Sequence, residues 1–211
     1  MKKKIVIVLL ILCMLDIVYL TSFKVNAFDF DFYSSEFSKY NVYSDFPSKD
    51  IDKVNNEILD YLRYDGEYDK ELFNSEEIEH FEDVRLLILK LNIYFYSLLV
   101  VFVFLLLLLY VFDKKKFLRN LALMLFFSGL SVLIVTIVLL ILSVFNFDGL
   151  FTVFHKIFFP QGGYSFSASS NIIKLYPASL FYDIAKNIFF SIIYYGNLLI
   201  GVGVLLILKN D

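Results

Sequence analysis

Only two histidines occur in the 211 residues, and each stands among groups that could use a titrating imidazole. His80 lies in Glu77-Ile78-Glu79-His80-Phe81-Glu82-Asp83-Val84. On a helix Glu77, His80 and Val84 share a face, with Asp83 at its margin. A carboxylate one turn from an imidazole can hold its tautomer and favour its protonated form. His155 lies in Phe154-His155-Lys156-Ile157-Phe158-Phe159-Pro160, with Phe151 one turn before it. Pro160, Gly162 and Gly163 follow, so a helix through His155 must stop there. Either histidine alone has a plainer explanation: acids beside a histidine on a solvated helix, or a half-buried histidine on a helix lying at a membrane surface. Together they suit general acid–base chemistry on a lipid ester, one ring accepting a proton while the other donates. No serine has the strand-turn-helix glycine context of a nucleophile elbow. Ser165, Ser167, Ser169 and Ser170 read as a polar loop, and Cys13 sits inside an apolar run. Acyl transfer without a covalent enzyme intermediate is the economical chemistry.

The elements that must position these rings are membrane helices. The chain is 59% hydrophobic and 19% charged, and the apolar residues are gathered in long runs. Spans are expected at about 5–23, 86–112, 117–145 and 184–208, each near the length needed to cross a ~30 Å hydrocarbon core. The fold class is therefore an all-α membrane protein, one domain over 1–211, with four transmembrane helices and an extracytoplasmic cap from 27–85 and 146–183. Val25-Asn26-Ala27 could be a signal-peptidase site, but the first run is longer than a signal core and Asp16 interrupts it, so a retained helix is preferred. Asp16 should pair with Lys186 or Asn187 of the fourth span. Gly196, Gly201 and Gly203 should allow close helix contact.

Within the cap, Phe28, Phe30 and Phe32 alternate with Asp29 and Asp31, which reads as a short strand or an aromatic ladder. Ser48 is expected to cap a helix with Ile51, Val54, Ile58 and Leu62 on one face, ending near Asp65-Gly66. A second helix should start at Asn74-Ser75 and run without a stop into the second span. Lys2 to Lys4, the turn Lys114-Lys115-Lys116 with Arg119, and Lys209 then fall on one side, so both termini are expected in the cytoplasm and both histidines at the outer face. From Ala27 to Lys90 there are seventeen acids against seven bases, which speaks against nucleic acid as a partner.

Glu77-x-x-His80-x-x-Asp83-Val84 and Phe154-His155-x-Ile157-Phe158-Phe159-Pro160, with the later Ile172-Ile173-x-Leu175-x-Pro177 and Phe181-x-Asp183, resemble the bacterial lipoprotein intramolecular transacylases. The resemblance covers the whole chain. Two departures are Tyr164, where a tryptophan is expected, and Ser169, Ser170 and Asn171, where acids are expected. The resemblance implies movement of the sn-2 acyl chain of a diacylglyceryl-cysteine to the α-amino group of the same cysteine. It also implies a diacylated lipoprotein N-terminus and membrane lipid as partners, in a bacterial cell membrane.

Nitrogen attack on that ester closes an eight-atom ring, so holding the folded substrate is the main task, and Phe154, Phe158, Phe159 and Tyr164 would form its walls. His80 would be the base, oriented by Asp83 or Glu77, and His155 the acid, or the reverse. No cofactor is expected, and the chain should act as a monomer. Two other readings stand beside this one. A metal-dependent membrane hydrolase would use His80, His155, Glu77 and Asp83 as ligands. A non-enzymatic scaffold or receptor would use the acidic external loop.

Overall fold

The computed structural model describes Lys2 to Asn210, the last by its backbone alone; Met1 and Asp211, the ends of the expected domain, lie outside the described residues. Among the described residues eight helices follow in order: α1 (Lys2–Asn26), α2 (Phe30–Lys39), α3 (Val42–Asp45), α4 (Ile51–Tyr64), α5 (Ser75–Phe112), α6 (Phe117–Phe158), α7 (Asn171–Leu175) and α8 (Ala178–Asn210). Short 3-10 turns cover Lys70–Leu72 and Lys114–Lys116, and no strand occurs among the described residues. Helices α1, α5, α6 and α8 include segments long and apolar enough to cross a membrane, as expected for a multi-pass membrane protein.

The chain divides into two compact units. The first takes residues up to Lys24, Ile93–Val144 and those from Lys186 on. Its interior has one cluster of Val6, Leu10, Leu105, Leu109 and Met124, and another of Val18, Val132 and Ile192. Backbones come close where side chains vanish. A Cβ on Gly129 would lie 2.5 Å from the Gly196 carbonyl oxygen, and one on Gly203 would lie 2.8 Å from the Phe126 nitrogen. Gly201 has nothing within 4 Å, so of the three expected contact glycines it is the one that makes none. Two polar contacts join helices within this apolar unit. Thr136 donates to the Val132 carbonyl at 2.7 Å, which leaves its oxygen to accept from the Tyr19 hydroxyl at 2.8 Å. Asp16 accepts from the Tyr94 hydroxyl at 2.5 Å, so its partner is Tyr94 rather than Lys186 or Asn187. The two residues are each about two turns in from the same end of the expected spans.

The second unit takes Val25–Asn92 and Phe145–Ala185. Here Phe30 and Phe32 are helical, not in a strand. Asp29 caps α2 by accepting from the Phe32 amide at 3.2 Å, and from there Tyr33, Glu36 and Phe37 follow a helical period onto the buried face. Three alternating residues cannot outweigh a cap and a sustained helical period. Helix α4 buries Ile51, Val54, Ile58 and Leu62, as expected, but its cap is Asp50, which accepts from the Lys53 amide at 3.1 Å. Ser48 is instead inside a turn closed by the Lys49 amide on the Phe46 carbonyl. Tyr176 is the hub of the core. Its ring meets Tyr33, Phe37, Phe81 and Phe181, and its hydroxyl donates to Asn55 at 2.9 Å.

Candidate active site

One arm of the site is the start of α5. Asn74 accepts from the Glu77 amide at 3.0 Å, and the Glu77 carboxylate accepts from the Asn74 amide at 2.8 Å. This reciprocal cap satisfies two orphan donors and fixes the first turn, one turn before His80. The other Glu77 oxygen accepts from the Ile172 amide at 2.9 Å, and Asn171 donates to the Leu72 carbonyl at 2.6 Å. Glu77 is 1% exposed, and both its oxygens are spent on backbone. It therefore docks α7 on α5.

The second arm is α6 beyond Asn146, where the backbone leaves the helical region (φ −158°, ψ 69°). Asn146 then caps the continuation by accepting from the Gly149 amide at 2.9 Å. A Cβ at Gly149 would fall 2.3 Å from that side chain, so the cap needs glycine there. The restarted helix sets Phe147, Phe151 and His155 one turn apart. His155 bonds the Phe151 carbonyl through Nδ1 at 2.7 Å. A carbonyl can only accept, so Nδ1 carries the proton and Nε2 keeps a lone pair in the neutral ring. After Pro160 the chain turns through Gly162 and Gly163, at φ +89° and +75°, where a side chain would be strained.

The arms bring the two imidazoles together. Their centroids are 6.3 Å apart, their planes differ by 21°, and each residue is 9% exposed. Phe159 packs on both rings, at 5.3 Å from His80 and 5.7 Å from His155. Phe166 lies 5.4 Å from His80; Phe151 and Tyr164 lie 4.3 and 5.2 Å from His155. Both histidines are thus more deeply buried than an interfacial helix alone would make them. Burial first, and then the charge on His155, push the His80 pKa down from 6.5 to about 4; Asp83 and the Gly163 backbone oppose this. His80 Nδ1 is buried and has no hydrogen-bond partner among the described residues.

Of the other residues singled out from sequence, Asp83 acts on His80 through its charge while accepting from Gln161 at 2.9 Å. Phe159 and Tyr164 line the rings. Phe154 and Phe158 pack on each other at 4.8 Å and are 44% and 41% exposed, so they present much of their surface outward. Sequence reasoning missed Phe166, Gln161 and Asn146. Gln161 was discoverable, since it lies between the helix-stopping proline and the two glycines; Phe166 carries no comparable signal. Among the described residues no three of His, Cys, Asp and Glu are grouped as a metal ion would need.

Known proteins share this fold. Similar over 99% of this chain and 97% of its own length is an in meso structure of the membrane integral lipoprotein intramolecular transacylase Lit from Bacillus cereus, at 19% identity and a TM-score of 0.83. A variant of that protein with a histidine changed to arginine matches with a TM-score of 0.78 and 19% identity, over 99% of this chain and 93% of its own. A histidine-to-alanine variant gives 0.77 at 19%, over 99% and 95%. A search of curated proteins found no match. At that identity the structures speak for the fold. The sequence profile described as lipoprotein intramolecular transacylase Lit matches residues 5–181, which includes both arms and both imidazoles, and this chain belongs to that family.

Proposed function

We propose that the protein moves the sn-2 acyl chain of a diacylglyceryl-cysteine onto the α-amino group of that cysteine, leaving an N-acyl, lyso-glyceryl lipoprotein, with His80 and His155 as its acid–base pair. The observation that carries this reading is the pair itself: two buried imidazoles 6.3 Å apart, in aromatic surroundings, on a chain of this family. The reaction is an isomerisation. One N–C bond forms, one ester C–O bond breaks, one proton leaves nitrogen and one reaches the sn-2 oxygen. Neither water nor a cofactor enters the balance.

The tautomer decides the roles. His155 has its lone pair on Nε2 and its Nδ1 proton on the Phe151 carbonyl, which would steady the imidazolium after proton uptake. We assign it the base that takes the amine proton and returns it to the departing glycerol oxygen. His80, held neutral, suits a hydrogen-bond donor to the carbonyl oxygen as charge builds there. This is the reverse of the first assignment considered from sequence. The supporting roles follow: Asp83 offsets the burial of His80, Glu77 fixes its helix, and Phe159 and Tyr164 wall the folded substrate beside Phe154 and Phe158. The single domain would work as a monomer, with both termini in the cytoplasm and its cap and active site at the outer face, as the lysine distribution favours.

Mass spectrometry of lipoprotein N-termini, from cells with and without the protein, tests the reaction. His80→Ala and His155→Ala should each lower N-acyl lyso product by ~10²–10⁴-fold, the usual worth of acid–base assistance. The double variant should be hardly worse than either single one, because the pair acts as a unit. His155→Gln cannot shuttle a proton near neutral pH; near-normal conversion by that variant would reduce His155 to a positioning residue and point to Tyr164.

A further inference from the structure

Helix α6 ends ahead of Pro160, and the chain turns through Gln161, Gly162 and Gly163 before Tyr164 and Phe166 come back to the two imidazoles. The Gly162 amide donates to the Phe159 carbonyl at 3.0 Å, which closes the turn. Beyond that bond the turn has little to hold it. Both glycines stand at positive φ, and a Cβ on either would meet nothing within 4 Å. Glycine also has more conformations to lose than any other residue. From Pro160 to Gly163, Gln161 alone has a polar side chain. That side chain crosses to α5, where its Nε2 donates to the Asp83 carboxylate at 2.9 Å.

The two ends of this bond lead to the same ring. Asp83, one turn after His80 on α5, bears on the imidazole through its charge, and the Gly163 backbone, two residues after Gln161, lies against it. Both favour the protonated ring, in opposition to its burial. Phe159 just before the turn and Phe166 just after it pack on His80 as well, at 5.3 and 5.4 Å. The Gln161 bond is exposed and competes with water, so it adds little to global stability. What it can do is select one conformation of a turn that has many. The conformation selected sets a backbone group on a buried imidazole.

We propose that Gln161 is a positioning residue, which latches the 160–163 turn to α5 through Asp83 and so keeps His80 in the one orientation that serves the transfer. The latch stands on the bond, the two glycines and the place of Gly163. Its effect on turnover rests on the acyl-transfer reading above.

Isosteric exchange separates the latch from the charge. Asp83→Asn keeps an acceptor oxygen for Gln161 and removes the charge. Gln161→Met removes the donor and adds no charge, whereas Gln161→Glu sets carboxylate against carboxylate. Gln161→Glu combined with Asp83→Asn rebuilds the bond with donor and acceptor exchanged. The full-length proteins would be assayed in bicelles on a diacylated lipopeptide. Gln161→Met and Gln161→Glu should each lower kcat ~10-fold or more with KM little changed, since a misplacement of ~1 Å can cost ~10²-fold. The exchanged pair should regain the kcat of Asp83→Asn. Two histidines give two sets of ring signals in histidine-labelled protein, and His155→Gln identifies those of His80. By ring-nitrogen NMR the His80 signals should broaden in Gln161→Met, as the ring samples more orientations, and sharpen again in the exchanged pair. Full kcat in Gln161→Met, or an exchanged pair no better than Gln161→Glu, would make the bond a surface contact only and overturn the latch. A raised KM with kcat unchanged in Gln161→Met would make Gln161 a substrate contact and overturn it equally. So would a fall in kcat with the His80 signals unmoved. No transfer by the unmodified protein, with the His80 signals responding as expected, would overturn the acyl-transfer reading and leave the latch standing.

Discussion

His155 and His80 are both buried, yet they face different protonation problems. His155 has a carbonyl one turn back to hold its Nδ1 proton, whereas His80 has an Nδ1 with no partner among the described residues, the charge of His155 against it and that of Asp83 for it. Its pKa of about 4 ties it to stability. The unfolded chain binds this proton near ~6.5, more readily than the folded one. The contribution is therefore complete above ~6.5 and is lost as pH falls through about 4, to a total of roughly 3 kcal/mol. Thermal unfolding in bicelles between pH 7.5 and 4 should show the loss, and His80→Phe should flatten it relative to the unmodified protein. Equal slopes in the two proteins would mean that His80 titrates in the fold as it does in the unfolded chain. The identity of these residues was legible because the chain has only two histidines, each in a patterned setting. Their tautomers and depth were not, because both depend on a carbonyl and on rings brought up by other segments, such as Phe166 and Tyr164.

Glu77 illustrates how an element can be read correctly while a side chain in it is not. The start of α5 at Asn74-Ser75 and its unbroken run toward the membrane follow from the cap and the missing stop signal. Helical spacing also puts Glu77 one turn from His80. Spacing cannot show that the Ile172 amide, far along the chain, takes the second carboxylate oxygen. In the same way Asp29 turns Phe30 and Phe32 into a helix, because a cap and the period beyond it outweigh a short alternation. A buried carboxylate that accepts two amides is sensitive to loss of either. Glu77→Gln sets an NH₂ against one amide donor, and with hydrogen bonds to charged groups worth ~1.5–3 kcal/mol it should cost roughly 2 kcal/mol of stability. Assayed well below its unfolding midpoint, this variant should keep most of its turnover. If conversion falls ~10²-fold while the fold is intact, Glu77 acts on the chemistry directly.

At the scale of the whole molecule, the four spans were legible because a ~30 Å hydrocarbon layer demands long apolar runs wherever the chain crosses it. Which small residues join the helices was only half legible, since a glycine's neighbour depends on helix rotation. Gly196 and Gly203 were read as contact positions and are; Gly201 was read so and is not; Gly129 was not singled out. The geometry makes an internal comparison possible. Gly129 sits with its missing Cβ 2.5 Å from the Gly196 carbonyl oxygen and 3.0 Å from the Ile200 nitrogen, both of them backbone atoms that no rotamer change can move aside. Gly129→Ala must push α6 and α8 apart there, and overpacking of this kind costs about 1–3 kcal/mol. Gly201→Ala meets nothing within 4 Å and removes a flexible helix-interior glycine, so its expected effect is neutral to slightly stabilising. Thermal unfolding of both variants in the same detergent separates them. A Gly129→Ala protein as stable as the parent would mean that α6 and α8 do not pack through the Gly129–Gly196 contact.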